Sequence, residues 1–161
     1  MSEGEIFYAC QDGHYVLKFV GEVRLTLCST IDQHLESLLS LDEITDTLID
    51  LTETINIDST SLGLIAKLAI KTAERKMPKP TLVSTNPDIT RILLAMGFDK
   101  VFLLIDSLPT SVKDLRKVPF VEESEDVIKQ RIIDAHRVLI DLNEGNRSAF
   151  KDLVETLENC G

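Results

Sequence analysis

The sequence is poor in the residues that build several familiar kinds of functional site. Its 161 residues include only three cysteines, seven glycines and no tryptophan. The cysteines are widely spaced, odd in number and absent from any CxxC pair, so reduced thiols are expected rather than a disulfide framework or a zinc site. No GxGxxG or GxxxxGK loop is present, which excludes the common glycine-rich phosphate-binding motifs.

Positive charge and long apolar runs are also scarce. The 27 acidic residues outnumber 17 lysines and arginines, which gives a formal net charge of -10. This surplus repels phosphate backbones and anionic lipids, so neither a nucleic acid nor a membrane is an expected partner. No apolar stretch approaches the roughly 20 residues of a membrane-spanning helix, and the acidic N-terminus is unlike a signal peptide. We therefore expect a cytoplasmic protein.

Apolar residues alternate between strand-like and helix-like spacing along the first two thirds of the chain. We predict strands, the first two joined as a hairpin, at 6–10, 14–20, 47–51, 81–84 and 101–105. We predict helices at 29–41, 62–76 and 86–96, and one short helix within 107–119. Ser29 or Thr30 is the expected cap of the first helix, and Asn86 and Gly97 should bound the third. This order predicts an α/β fold with a mixed β-sheet of about five strands covered by helices.

The last 43 residues, 119–161, differ from the part before them because they lack a strand signal. One helix face collects Ile128, Ile132, Ala135, Leu139 and Leu142, and a second stripe collects Phe150, Leu153, Val154 and Leu157. We predict a domain over 1–118 and a C-terminal α-helical hairpin over 119–161. Either the hairpin packs on the first domain and completes its core, or it is an arm for docking or dimerisation.

The sequence offers no catalytic constellation. His14, His34 and His136 lie in three different predicted elements, and none has a metal-ligating neighbour at helical spacing. Ser59 follows a strand and precedes a helix, as a hydrolase nucleophile does, but the GxSxG pattern is absent and no histidine marks a triad in the first domain. We therefore expect no enzyme, metal or cofactor, and hold a hydrolase with Ser59 as nucleophile only as a remote alternative.

Residues 58–61, Asp-Ser-Thr-Ser, place three hydroxyls at the start of a predicted helix. The simplest interpretation is a helix cap supplied by Asp58 or Ser59. Alternatively, one hydroxyl accepts a phosphoryl group, which free backbone N–H groups at the helix start would stabilise. On the same helix, Leu64 falls on the polar side with Thr60 and Lys67, which makes it either a partner contact or an isolated exposed leucine.

Three segments resemble the STAS domains of bacterial anti-sigma factor antagonists: 16–23, 48–63 and 86–104. The second resembles the strand, loop and phosphorylation segment of that family, which ends in Asp-Ser-(Ser/Thr)-Gly-Leu-Gly. The resemblance implies a STAS-like sheet covered by helices and no enzymatic activity. With its added C-terminal helices, the chain is similar to the longer HsbA-type antagonists of gamma-proteobacteria.

The resemblance also implies a mechanism. Such proteins bind an anti-sigma factor, often itself a serine protein kinase, until the kinase phosphorylates the serine after the motif aspartate, and a PP2C-type phosphatase reverses this. Carried over, the phosphoacceptor is Ser59 and less favourably Thr60. The expected partner-binding residues are Arg24, Asp58, Ser59, Thr60 and Ser61, together with Leu64 and Lys67 from the helical pattern above. The alternative is a ligand-sensing or structural STAS module in which Ser59 is only a cap. The oligomeric state stays open.

Two positions depart from the family pattern. Ser61 replaces the first motif glycine, a mild change at a helical position, whereas Gly63 matches the second. Arg24 stands where many members have an aspartate near the phosphoacceptor. A cation at Arg24 would neutralise a phosphate or meet an acidic partner.

Overall fold

The computed structural model describes residues 4–109 and 112–160. The strands in these residues are β1 (Glu5–Gln11), β2 (His14–Val23), β3 (Asp46–Ile57), β4 (Thr81–Val83), β5 (Leu103–Ile105) and β6 (Arg116–Lys117). The helices are α1 (Cys28–Leu39), α2 (Ser59–Glu74), α3 (Pro87–Ala95), α4 (Glu125–Leu142) and α5 (Glu144–Asn159). Short 3-10 turns precede α1 and follow α3. Within these residues, every helix is too short or too polar to span a bilayer.

The strands form one mixed sheet in the order β5-β4-β3-β2-β1-β6. β1 is antiparallel to β2 and to β6, and the pairs β2–β3, β3–β4 and β4–β5 are parallel. Asp12 and Gly13 form the β1–β2 turn with φ values of 54° and 83°, as a two-residue hairpin requires. The predicted α/β fold with a mixed sheet is therefore confirmed, with six strands in the described residues instead of about five.

The core lies between one face of the sheet and helices α1 and α2. Tyr15, Leu17 and Phe19 alternate along β2 and are at most 4% exposed, because successive strand residues point to opposite faces. Ile31 of α1 and Ile65 of α2 belong to the same buried cluster. This packing fixes the orientation of α2, the helix that carries the hydroxyl cluster.

Two helix boundaries confirm the sequence predictions and one does not. Asn86 caps α3 by accepting a hydrogen bond from Asp88 N at 2.9 Å, and Gly97 ends the segment with φ 85°. The prediction that Ser29 or Thr30 caps α1 is wrong, because both lie inside the helix and are 2% exposed. The preceding 3-10 turn extends the helical path, so no side-chain cap is needed where α1 begins.

The predicted short helix within 107–119 is also wrong for the part of this segment that the structure describes. Residues 116–117 instead form β6 against the edge of β1, and Val118 N donates a hydrogen bond to Ile6 O at 2.8 Å. Residues 110–111 of this prediction lie outside the described residues. Pairing at the sheet edge satisfies backbone groups over a span too short for a stable helix.

The last two helices fold into the predicted hairpin, with Asn143 alone between them. The hairpin packs on the rest of the chain, which is the first of the two interpretations of this segment. Its elbow is attached through Asn146, whose side-chain amide donates to Leu139 O at 2.8 Å and to Met96 O at 2.9 Å. The division into domains at residue 118 stays a prediction.

Candidate functional site

Asp58 joins the ends of two neighbouring parallel strands to the start of α2. Its carboxylate accepts hydrogen bonds from Ser61 N at 2.9 Å and from Leu25 N at 2.6 Å. Its own N–H donates to Val23 O at 3.0 Å. The predicted cap is thus confirmed for Asp58, and Ser59 becomes the first residue of the helix. The Ser59 hydroxyl is therefore available for another partner.

That partner is His136 of α4, which lies 77 positions away in the sequence. Ser59 Oγ and His136 Nε2 are 2.8 Å apart, and His136 Nδ1 lies 2.7 Å from Ile132 O. Because a carbonyl only accepts, Nδ1 carries a proton, and in the neutral imidazole Nε2 accepts the hydrogen bond from the Ser59 hydroxyl. His136 is 2% exposed, and its ring meets the ring of Phe150 edge-on. Sequence reasoning missed this contact, since no local pattern connects the two residues.

The hydroxyl–imidazole pair has the form of a nucleophile and its base. However, the imidazole is covered by protein, so a substrate cannot reach it in this arrangement. Within the residues that the structure describes, no group of three or more His, Cys, Asp or Glu side chains is placed to hold a metal ion.

Helices α2 and α4 approach closely at Gly63 and Ala135. A Cβ atom added to Gly63 would lie 2.3 Å from Ala135 O and 2.8 Å from Ala135 Cβ, which is closer than atoms can pack. The contact therefore requires glycine at this position, and it brings α4 directly over the first turns of α2.

This close packing buries much of the predicted partner-binding surface. Thr60 is 3% exposed, Ser61 0% and Leu64 1%. The expectation that Leu64 is exposed is wrong, because it belongs to the buried core cluster, and Lys67 on the same side of α2 pairs with Asp32 of α1. Ser61 fits inside the helix, although its hydroxyl has no hydrogen-bond partner among the described residues. Ser59 itself remains half-buried.

Further along α2, a buried cluster of charged side chains connects α1, α2 and α4. Asp32 of α1 is 4% exposed and pairs with Lys67 of α2 at 2.9 Å and with Arg131 of α4. Arg131 also pairs with Glu123 at 2.7 Å, in the segment that leads into α4. Although burial disfavours its charge, hydrogen bonds and the charges of Glu123 and Asp32 raise the pKa of Arg131 above its usual value. Lys67 is thus occupied by an internal ion pair.

Arg24 is the predicted site residue that remains most open. Its side chain is 57% exposed and its guanidinium lies 2.8 Å from the carboxylate of Glu22. The bond from Leu25 N to Asp58 holds this part of the chain beside the start of α2. The structure therefore places Arg24, Asp58 and Ser59 in one region, while Lys67 lies about two turns further along α2.

Replacing Asp58 with alanine is expected to lower the free energy of unfolding by about 2 kcal/mol. The change removes the helix cap and leaves the N–H groups of Ser61 and Leu25 without their acceptor. Urea unfolding measures the loss, and Asp42→Ala, which removes an exposed carboxylate outside the helices, is the matched control. Equal stability of the two variants would contradict the role of Asp58.

Residues 6–115 match the family model described as the STAS domain. The match ends before α4 begins, so the hairpin lies outside it. No curated protein sequence matches the chain.

Three solved structures illustrate the fold that this chain shares with known proteins. The Bacillus cell fate determinant SpoIIAA in its phosphorylated form is 12% identical, with 65% of this chain and 92% of that chain covered and a TM-score of 0.55. The anti-sigma factor antagonist SpoIIAA in its unphosphorylated form is 12% identical, with coverage of 65% and 89% and a TM-score of 0.54. An anti-sigma factor antagonist from Mycobacterium paratuberculosis is 22% identical, with coverage of 66% and 88% and a TM-score of 0.55. At these identities the likeness shows a shared fold.

Proposed function

The chain belongs to the STAS domain family, and from this membership we propose that it is an anti-sigma factor antagonist controlled by phosphorylation of Ser59. Without phosphate it binds an anti-sigma factor, which in this proposal is also the serine kinase or works beside one. The kinase transfers the γ-phosphoryl group of ATP to Ser59 Oγ, with ADP as leaving group and the serine proton passing to the base of the kinase. A PP2C-type phosphatase restores the hydroxyl, and the protein itself catalyses no reaction.

The observation that carries this proposal is the position of Ser59 at the first residue of α2. Asp58 caps the helix, so the Ser59 hydroxyl is not needed as a cap. A phosphate on this residue would lie at the electropositive end of the helix, near backbone N–H groups of the first turn. Thr60, the competing acceptor, is 3% exposed and so less accessible than half-buried Ser59. The similar protein SpoIIAA exists in phosphorylated and unphosphorylated forms.

Arg24 supplies an exposed positive charge in the same region, in a chain whose net charge is negative. A phosphate adds a charge of about -1.5 to -2, and the net charge of the unmodified chain is already -10. In the proposed mechanism the exposed guanidinium leaves Glu22 and pairs with the phosphate or with an acidic partner surface.

Ser59→Ala is expected to bind the anti-sigma factor from the same genome at least tenfold more tightly than Ser59→Asp, because a carboxylate places negative charge where the partner docks. Binding is measured by isothermal titration calorimetry. Ser148→Asp, which adds the same charge at an exposed position of α5, is the control and should bind like the unmodified chain.

Mass spectrometry of the protein from its native cell should locate a phosphate on Ser59. Equal affinities, with no phosphate on Ser59 in the cell, would overturn the proposed function.

A further inference from the structure

The C-terminal hairpin covers the part of α2, around Ser59 and Gly63, where the proposed partner would bind. Helix α4 lies on the first turns of α2, where Ser59 bonds to His136 and Gly63 meets Ala135. A partner helix cannot make these contacts while α4 stays in place.

We propose, resting on the function above, that the hairpin is an autoinhibitory element which occupies this surface within the same molecule, and that the partner displaces it with a helix of like chemistry. The chain then has a closed state, with the hairpin docked, and an open state, with the surface of α2 free. Only the open state binds the partner or admits a kinase to Ser59.

The contacts of α4 define the helix that would replace it. Ala135 is tolerated opposite Gly63 because it is small, and Arg131, one turn earlier, reaches the buried carboxylate of Asp32. Residues four apart lie on one helix face, so the replacing helix should carry a basic residue followed four positions later by alanine or glycine. A basic helix also suits the acidic surface of this chain, with its net charge of -10.

The hairpin is held by contacts that can break without unfolding the sheet. Only Ile133, Ala135, His136 and Leu139 of α4 are buried, and in α5 only Asn146 and Val154. By contrast, α2 buries ten of its 16 residues. The exposed hydrogen bonds that Lys100 and Asn143 make between the hairpin and the rest of the chain can be replaced by water, so each contributes little net stability. Elements with few buried apolar side chains open locally more readily than the core.

A phosphate on Ser59 would disturb the closed state. The hydroxyl oxygen lies 2.8 Å from Nε2 of a histidine that is 2% exposed, and a phosphoryl group, which is much larger than the hydrogen it replaces, would push against this contact. A phosphate on Ser59 therefore disfavours the closed state, and its negative charge at the same time keeps the partner from binding the open state.

Hydrogen exchange of the full chain tests the opening without any partner. The chain with phosphoserine incorporated at position 59 is compared with the unmodified chain. We expect amides of α4 to exchange at least tenfold faster in the phosphorylated chain, while amides of β2 and β3 stay protected. Unchanged exchange in α4 would overturn the autoinhibitory contact.

Ala135→Glu tests the same contact from the side of α4, and Ala149→Glu is the matched control because Ala149 is exposed on α5. We expect amides of α4 and of the first turns of α2 to exchange at least tenfold faster in Ala135→Glu than in the unmodified chain. In the control variant, their exchange should not change. If Ala135→Glu instead exposes β2 and β3 as well, the hairpin is part of the core and the proposal fails. Protection of α2 equal to that of the control would also overturn it.

A synthetic peptide of residues 125–142 tests whether the surface accepts a helix from another molecule. It should bind the full-length Ala135→Glu chain and restore the protection of α2, whereas the same peptide carrying Arg131→Glu should not. Equal behaviour of the two peptides would contradict the proposed chemistry of the partner. Failure of these exchange experiments leaves the affinities of Ser59→Ala and Ser59→Asp untouched, so the two proposals are tested separately.

Discussion

Arg131→Met is expected to lower the free energy of unfolding by about 3 kcal/mol, because it leaves a buried carboxylate with one cation fewer. The side chain of Asp32 is 5% exposed and that of Arg131 16%, so water cannot easily replace the lost guanidinium. Lys67 still pairs with Asp32, which keeps the loss at the lower end for a broken buried pair. The methionine side chain retains much of the apolar packing of the arginine stem.

Arg137→Met is the matched control for this prediction. Arg137 also lies in α4 and also pairs with two carboxylates, those of Asp134 and Glu158, but its side chain is 49% exposed. Surface pairs of this kind contribute about 1 kcal/mol or less. Urea unfolding, followed by circular dichroism, gives both values. Equal losses in the two variants would mean that the cluster around Asp32 does not attach α4 to the rest of the chain.

Local patterns in the sequence were sufficient for most of the fold. The spacing of apolar residues predicted the order of strands and helices, because each element buries one face against the sheet. Asp58 and Asn86 were recognisable as caps because their side chains bond to backbone N–H groups only two or three residues away. These predictions needed no knowledge of how distant segments pack.

The surroundings of Ser59 could not be predicted in the same way. The polar side of α2, with Thr60 and Lys67, has the pattern of a solvent-exposed face. In the structure, however, Lys67 pairs with Asp32 of α1, and α4 packs on the start of the helix. A helical pattern does not distinguish polar residues that meet water from polar residues that meet another helix. Leu64 was therefore expected at the surface and lies in the interior.

The glycine at position 63 carries the second prediction of large effect. Gly63→Ala is expected to weaken the contact between α2 and α4 by about 3 kcal/mol, the upper part of the usual range for overpacking. The added Cβ would meet backbone atoms of Ala135 at 2.3 Å and 2.6 Å, so the helix as a whole must move. Alanine favours the helical conformation by up to about 1 kcal/mol, so α2 itself should form at least as well as before.

Gly145→Ala provides the comparison, because Gly145 is exposed in α5 and an added Cβ would only touch Asn143 Oδ1 at 3.5 Å. That change should be neutral or stabilising by up to about 1 kcal/mol. Native-state hydrogen exchange separates the two effects of Gly63→Ala: amides of α4 should lose protection, and those of β2 and β3 should keep it. If α4 keeps its protection, the helices can shift apart without separating, and Gly63 does not control the attachment of the hairpin. If α4 alone loses protection, a single methyl group is enough to open the surface that carries Ser59. The closed state is then held by the close approach of α2 and α4 at Gly63.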